Sequence, residues 1–191
     1  MRPPTRVRKV DSAEAIKALA DPIRLKVLSL LMSDHSRAWT VKEIAAALHQ
    51  PVTKLYHHVN LLAQAKLIRD VETRMVSGIV EHRYASAQRT LEFDDSLYGS
   101  PETRDASLAN IANLVNQSRD ALLDYLGRDD ADLDRVLVHQ GRIRLSAAEA
   151  AELNDAVLDL LKTFEHRRRT KARDAQPRTR VLVLLHPEPT D

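Results

Sequence analysis

Apolar residues over the first half of the chain recur at intervals of three and four and then give way to strand-like runs, and this change of period predicts the order of elements. Ser12 to Ala20 predicts a short helix. Asp21-Pro22 supplies an N-cap and a proline at the first helical position, and Ile23, Val27, Leu28, Leu30 and Leu31 line the apolar face of a second helix. After Trp39, "TVKE" has the form of a capping box in which the Thr40 hydroxyl caps and Glu43 reaches back. The helix it opens, Val41 to Leu48, is predicted to bury Ile44, Ala45 and Leu48. Gln50-Pro51 opens the next, again with proline at the first helical position, and Leu55, Val59, Leu62 and part of His58 make its buried side. "LIRDVETRMV" and "IVEHRYASA" flank Ser77-Gly78 and predict a β-hairpin. Helices joined by a short turn and followed by a hairpin have the order of a winged helix-turn-helix.

The second half has a different pattern. Residues 101–126 predict a long helix opened by Pro101, with Leu108, Ile111, Val115, Leu122 and Tyr125 at heptad-like spacing interrupted at Ser118. Such a seam either pairs with its symmetry mate or packs inside its own domain. "RVLVHQGRIRL" reads as one or two strands, and "SAAE" (Ser146 to Glu149) is a second capping box for a helix burying Leu153, Val157, Leu160, Leu161 and Phe164. "TRVLVLLHPEP" reads as an apolar strand ended by prolines, which completes a small α/β layer. The fold class is mainly α with small β elements (α+β): an N-terminal winged helix-turn-helix, a long dimerisation helix and a small C-terminal strand–helix–strand unit. The expected divisions are a basic N-terminal arm over 1–10, a DNA-binding domain over 11–90, and a dimerisation and effector domain over 91–191.

Charge sharpens the picture. Residues 1–90 hold 15 Lys+Arg against 8 Asp+Glu, a net +7, whereas residues 91–191 hold 14 against 19, a net −5. A basic half joined to an acidic one points the first half at a polyanion. The chain has no cysteine, which excludes disulfides and thiolate metal sites. No apolar run approaches the roughly 20 residues that span a bilayer, and "MRPPTRVRKV" lacks the core of a signal peptide, so a cytoplasmic protein with no membrane partner is expected.

Three segments in order resemble one family. "ALADPIRLKVLSLL" is similar to the second-helix signature of the ArsR-like (arsenical-repressor type) winged-helix regulators, "TVKEIAAALHQPVTKLYHHVNLLAQAKLI" to their helix-turn-helix, and "RDVETRMVSGIVEHRYASA" to their wing. The resemblance covers about residues 12–88. It implies a homodimeric bacterial transcription factor, usually a repressor, with the helix after the turn in the major groove of a pseudo-palindromic operator. Lys66 stands where the family usually has glycine, which implies a left-handed residue there. Metal-sensing members use a cysteine pair before the turn or an Asp/His/His/Glu set on a late helix. "KEIAAAL" and the late histidines, His139, His166 and His186, match neither, so no metal or other cofactor is expected.

Adjacent His57 and His58 point about 100° apart on a helix and are poorly placed to chelate one ion. No nucleophile or carboxylate accompanies them, so no catalytic residue is assigned. By phase His58 belongs to the buried side. Thr53, Lys54, Tyr56, His57 and Asn60 share the outward face, with hydroxyl, ammonium, imidazole and amide groups suited to base edges and phosphates. Gln50 and Val52 at the start of that helix, and Arg69, Arg74 and Arg83 on the hairpin, complete the candidate DNA-binding set. Arg2, Arg6, Arg8 and Lys9 make either a groove-following arm or a disordered terminus. "HRRR" at the end of the late helix reads as a solvated turn that complements the helix dipole, or as a second phosphate contact. The partners expected are double-stranded DNA and a second copy of the chain, with a small-molecule effector left open. A protein-interaction module and a non-specific architectural DNA binder are the alternatives.

Overall fold

The computed structural model describes residues 4–76, 78–94, 100–167 and 179–187; Arg2, Ser77, Gly99 and the basic run from Arg168 onward lie outside them, as do the side chains of Arg6 and His166. The chain forms two units, residues 1–117 and 118–191.

In the first unit each helix starts where a side chain meets its orphan amides. Ser12 caps α1 (Ala13–Leu19), its hydroxyl accepting from the Ala15 amide at 3.2 Å. Asp21 caps α2 (Pro22–Ser33) by accepting from the Ile23 and Arg24 amides, both at 2.9 Å. After β2 (Trp39–Thr40), the predicted capping box opens α3 (Val41–Leu48), with Thr40 Oγ1 accepting from the Glu43 amide at 3.1 Å and Glu43 Oε2 from the Thr40 amide at 2.7 Å. α4 (Val52–Gln64) departs by one residue from expectation. Pro51 is its N-cap, not its first helical residue, because its ψ of 130° is extended although its φ of −61° suits either position.

β3 (Ile68–Val76) and β4 (Ile79–Ser86) form the predicted hairpin, with β2 on the other edge of β4. Gly78, at φ 81°, supplies the left-handed residue at its tip. Residues 5–10, expected as a basic arm or loose terminus, are instead strand β1 (Thr5–Val10), paired in parallel with β5 (Gln88–Phe93). Burial of Val10 holds that strand in the core, with Ile16, Leu19, Val27, Leu28, Leu31, Ile44, Leu55, Val59, Leu62 and Leu67.

α5 (Arg104–Leu126) starts three residues after Pro101, which lies in the preceding turn. Its buried stripe is polar. Ser107 and Asn110 are buried, the Asn113 amide donates to Ala20 O at 2.7 Å, and Gln117 Oε1 accepts from the Ser29 hydroxyl at 3.2 Å. The apolar stripe lies outward, with Leu108 57% and Val115 37% exposed and Ile111 and Leu122 partly so. Tyr125 is engaged locally: its hydroxyl accepts from the Asp132 amide at 2.9 Å and donates to the Asp132 carbonyl at 3.1 Å.

The second unit corrects three expectations. After a 3₁₀ turn (Leu133–Arg135), residues 136–146 carry no strand, and neither do 179–187. The strand–helix–strand layer is therefore absent among the described residues, because neither run has a neighbour to take its backbone hydrogen bonds. The second capping box does form, Ser146 and Glu149 bonding reciprocally at 2.7 and 3.3 Å, and it opens α6 (Ala147–Arg167). The residues expected to be buried on α6 are not: Leu153, Val157 and Leu161 are half-buried, and Leu160 and Phe164 are more than half exposed.

Two contacts fix the end of α4. Lys66 adopts φ 57°, and the bonds Lys66 N→Ala63 O and Leu67 N→Leu62 O, both 2.9 Å, make a Schellman ending. Arg8, on β1, donates to the Ala65 carbonyl at 2.9 Å and to the Lys66 carbonyl, and so places a cation at the helix's negative end. A second tie runs from helix to hairpin. Arg83 donates to Ala38 O at 2.6 Å and to Glu43 at 3.3 Å, and its Nε lies 3.8 Å from Glu72. Burial alone would raise the Glu43 carboxyl, but the Thr40 amide, Arg83 and Arg37 outweigh it and hold the pKa below 4.5.

Three substitutions test these contacts. Lys66→Gly relieves the left-handed strain and should raise stability by about 1 kcal/mol, whereas Arg8→Ala should lower it by about 1–2 kcal/mol, both read from urea midpoints at unchanged slope. Glu43 is stabilising in its charged form, so its contribution is present in full above pH 4.5 and is lost as pH falls through the lower folded value. Glu43→Gln should therefore be destabilised at pH 7, with the gap from the parent protein closing below pH 4.5; a gap unchanged at pH 3 contradicts this.

Candidate nucleic-acid interface

α4 has one buried and one open side. Leu55, Val59 and Leu62 are fully buried, and Thr53, Lys54, Tyr56, His57 and Asn60 are exposed on the other side, Tyr56 at 50%. Gln50 and Val52 lie at the helix entrance, half-buried. The turn before them is tight because His49 takes φ 51° and the Gln50 amide bonds back to Ala45 O at 3.0 Å, giving α3 its own Schellman ending. Buried Ile44 and Ala45 on α3 form part of the core that carries α4.

The two histidines have separate surroundings. The His58 side chain is 14% exposed and sits 3.6 Å from Asp21. Burial lowers its pKa, with Asp21 opposing and Arg24, His57 and Lys54 adding to the fall. It is thus a neutral packing residue at pH 7. His57 is exposed, its ring 5.9 Å from that of His58 at 63°. Among the described residues no group of three or more His, Asp or Glu could hold a metal ion.

The hairpin arginines divide. Arg74 is exposed near the tip and paired with Glu72. Arg69 is half-buried and donates from Nε to Ser86 O at 3.4 Å. Arg83 is held by Ala38, Glu43 and Glu72 as described, so it fastens the hairpin to the start of α3. Arg8 likewise has its guanidinium on the α4 terminus.

A shallow depression of about 70 Å³ between α4 and the hairpin is lined by Thr40, Val41, Lys42, Tyr56, Val80, Glu81, His82 and Tyr84. Lys42, His82 and Tyr84 were not singled out by sequence reasoning. The available signal was the alternation Val80, His82, Tyr84 along "VEHRYA", which puts all three on one face of β4. His82 bonds through Nδ1 with the Asp70 carboxylate, and its ring lies 6.3 Å from that of Tyr84. Burial pushes the Tyr84 phenol up, with Asp70 and Tyr56 adding to the shift, so it remains protonated at neutral pH. The surface formed by the outer face of α4 and this side of the hairpin thus offers ammonium, phenol, imidazole, hydroxyl and amide groups together.

No described helix is long and apolar enough to cross a membrane. No curated protein matches the chain. Residues 19–71 match the family model described as a helix-turn-helix domain. That match spans α2, α3, α4 and the start of the hairpin, the same elements that present the polar face of α4. This part of the chain is thus similar to a helix-turn-helix domain, a fold that DNA-binding regulators use.

Proposed function

We propose that the protein is a homodimeric, ArsR-like transcriptional regulator, a repressor in the usual mode of that class, which binds a pseudo-palindromic operator without thiolate metal sensing. One observation carries the reading: α4, the helix after the turn, buries Leu55, Val59 and Leu62 completely while presenting Thr53, Lys54, Tyr56, His57 and Asn60 to solvent. Gln50 and Val52 set the entry of that helix into the major groove, and Arg74 meets the backbone from the wing. Arg69 and Arg83 serve the interface by holding the wing in place. The outward apolar stripe of α5 supports pairing with a second copy through Leu108, Ile111, Val115 and Leu122, with Tyr125 shaping the loop beyond. Two recognition helices then enter successive major grooves about 34 Å apart.

A second reading, a protein-interaction module, draws on the second unit, where Leu137 is 90% and Val138 75% exposed. Selection from random duplex DNA separates the two. An inverted repeat bound with affinity falling roughly 10³- to 10⁵-fold between 50 and 200 mM salt supports the operator-binding dimer. Diffuse retention supports an architectural binder, and no retention supports the interaction module.

Within the operator reading, Lys54→Ala should weaken specific and random duplexes alike and lower the salt slope by about one. His57→Ala should instead cost about 1–3 kcal/mol at particular base pairs and relax sequence preference there; equal losses for both variants on both duplexes would count against the assignment. Val115→Arg, placed on the exposed stripe, should give a monomer by light scattering with little change in thermal stability. A dimer of parental affinity would remove α5 from the interface.

A further inference from the structure

On the other side of the hairpin from His82 and Tyr84 lies a wide cleft of about 530 Å³, lined by Ser36, Arg37, Ala38, Val71, Glu72, Arg74 and Arg83. Three guanidiniums line it against one carboxylate. Glu43 adds a second carboxylate, pairing with Arg37 at 3.4 Å and Arg83 at 3.3 Å, which leaves a net +1 for the cluster. Arg37 is built into place: its guanidinium carbon lies 3.6 Å from the centroid of the Trp39 ring, and Trp39 is itself buried. Stacking fixes the plane of the guanidinium while leaving its edge able to donate. Arg83 is fixed by the Ala38 carbonyl, which belongs to the same loop. The hydrogen bonds of Arg37 to Glu43 and of Arg74 to Glu72 each use one nitrogen of a group that has five N–H donors.

We propose that this cleft is a phosphate-binding site and that the phosphate it takes is one of the DNA backbone. The inference rests on the DNA-binding reading above. Guanidiniums from two elements, with donors to spare, match the tetrahedral oxygens of a phosphate better than a flat carboxylate. Small ligands are held by enclosure in mostly apolar pockets, whereas this cleft is open and polar and suits a phosphate carried on a duplex. Its position also fits. Ala38 and Thr40 bracket Trp39 at the start of α3, so a phosphate seated here bridges the helix-turn-helix and the wing. Arg37 is the central residue, since Arg83 is committed internally and Arg74 is the more exposed chain, whereas Arg37 is stacked on Trp39.

The test uses the full-length protein and its single tryptophan, Trp39, which lies against Arg37 and reports directly on the cleft. Random duplex is titrated from 50 to 200 mM salt, and inorganic phosphate is titrated against chloride at matched ionic strength. The site predicts that duplex alters Trp39 emission, that Arg37→Ala lowers the salt slope by about one while the variant still melts cooperatively above the assay temperature, and that Arg37→Lys restores the slope. Saturation of the Trp39 signal by millimolar inorganic phosphate, lost in Arg37→Ala while the duplex slope stays parental, overturns the DNA source and assigns free phosphate. A parental slope together with no Trp39 response to either titrant overturns the site. Lys54→Ala runs in parallel: a loss there with none in Arg37→Ala defeats this cleft alone, while no duplex binding by the parent protein defeats the regulator reading itself.

Discussion

The start of α3 poses a problem that the rest of the domain is built around. Its first amides have no helical partner, and they sit beside the hairpin whose orientation determines what the wing can reach. Glu43 meets both demands with one side chain. One oxygen accepts from the Thr40 amide and closes the capping box, and the same carboxylate receives Arg83 from β4 and Arg37 from the preceding loop. Arg83 passes the constraint on to Glu72 across the hairpin. Helix start, loop and wing are thereby fixed by one charge cluster, and α4 inherits its position through the buried contacts of α3. The low pKa of Glu43 follows from this arrangement, because protonation would weaken every tie at once.

Charge counting overstates what such a domain offers to a polyanion. The first ninety residues carry a net +7, yet several of those cations are engaged internally. Arg8 satisfies carbonyls at the end of α4, Arg24 donates to the Lys17 and Ala18 carbonyls, and Arg83 joins the Glu43 cluster. Arginine suits this work, since its planar group can bond two acceptors while keeping its charge near a helix terminus. Lys54 and Lys42, compact ammonium groups on exposed helix positions, remain directed to solvent.

Local rules carried the sequence reading where the answer was local. The caps at Asp21, Thr40 and Ser146, the buried phase of Leu55, Val59 and Leu62, and the hairpin around Gly78 depend on neighbours within four residues or on a single turn. Three other features depend on partners remote in sequence. β1 needs β5, more than seventy residues away, to become a strand. The runs 135–145 and 179–187 have strand composition, but composition alone does not supply a neighbouring edge, and the described chain provides none. Arg37 carries no signal of its own in the sequence, because only folding brings Arg74 and Arg83 to the same cleft.

α5 shows most clearly how periodicity can be read correctly and still leave the packing open. Two heptad-like stripes run along it: Thr103, Ser107, Asn110, Leu114 and Gln117 on one, Leu108, Ile111, Val115 and Leu122 on the other. A monomeric helix normally turns its apolar stripe to its own core. Here the mainly polar stripe faces the domain and bonds Ala20 and Ser29, while the apolar one remains outward. The docking face combines the hydrogen bonds of Asn113 and Gln117 with packing of Ala106 and Leu114 against the core, and the directional bonds set the angular position of the helix around its axis. That rotational setting determines where the outward leucines and valine point. The polar contacts thus explain how the apolar stripe is kept on the outward side of the helix.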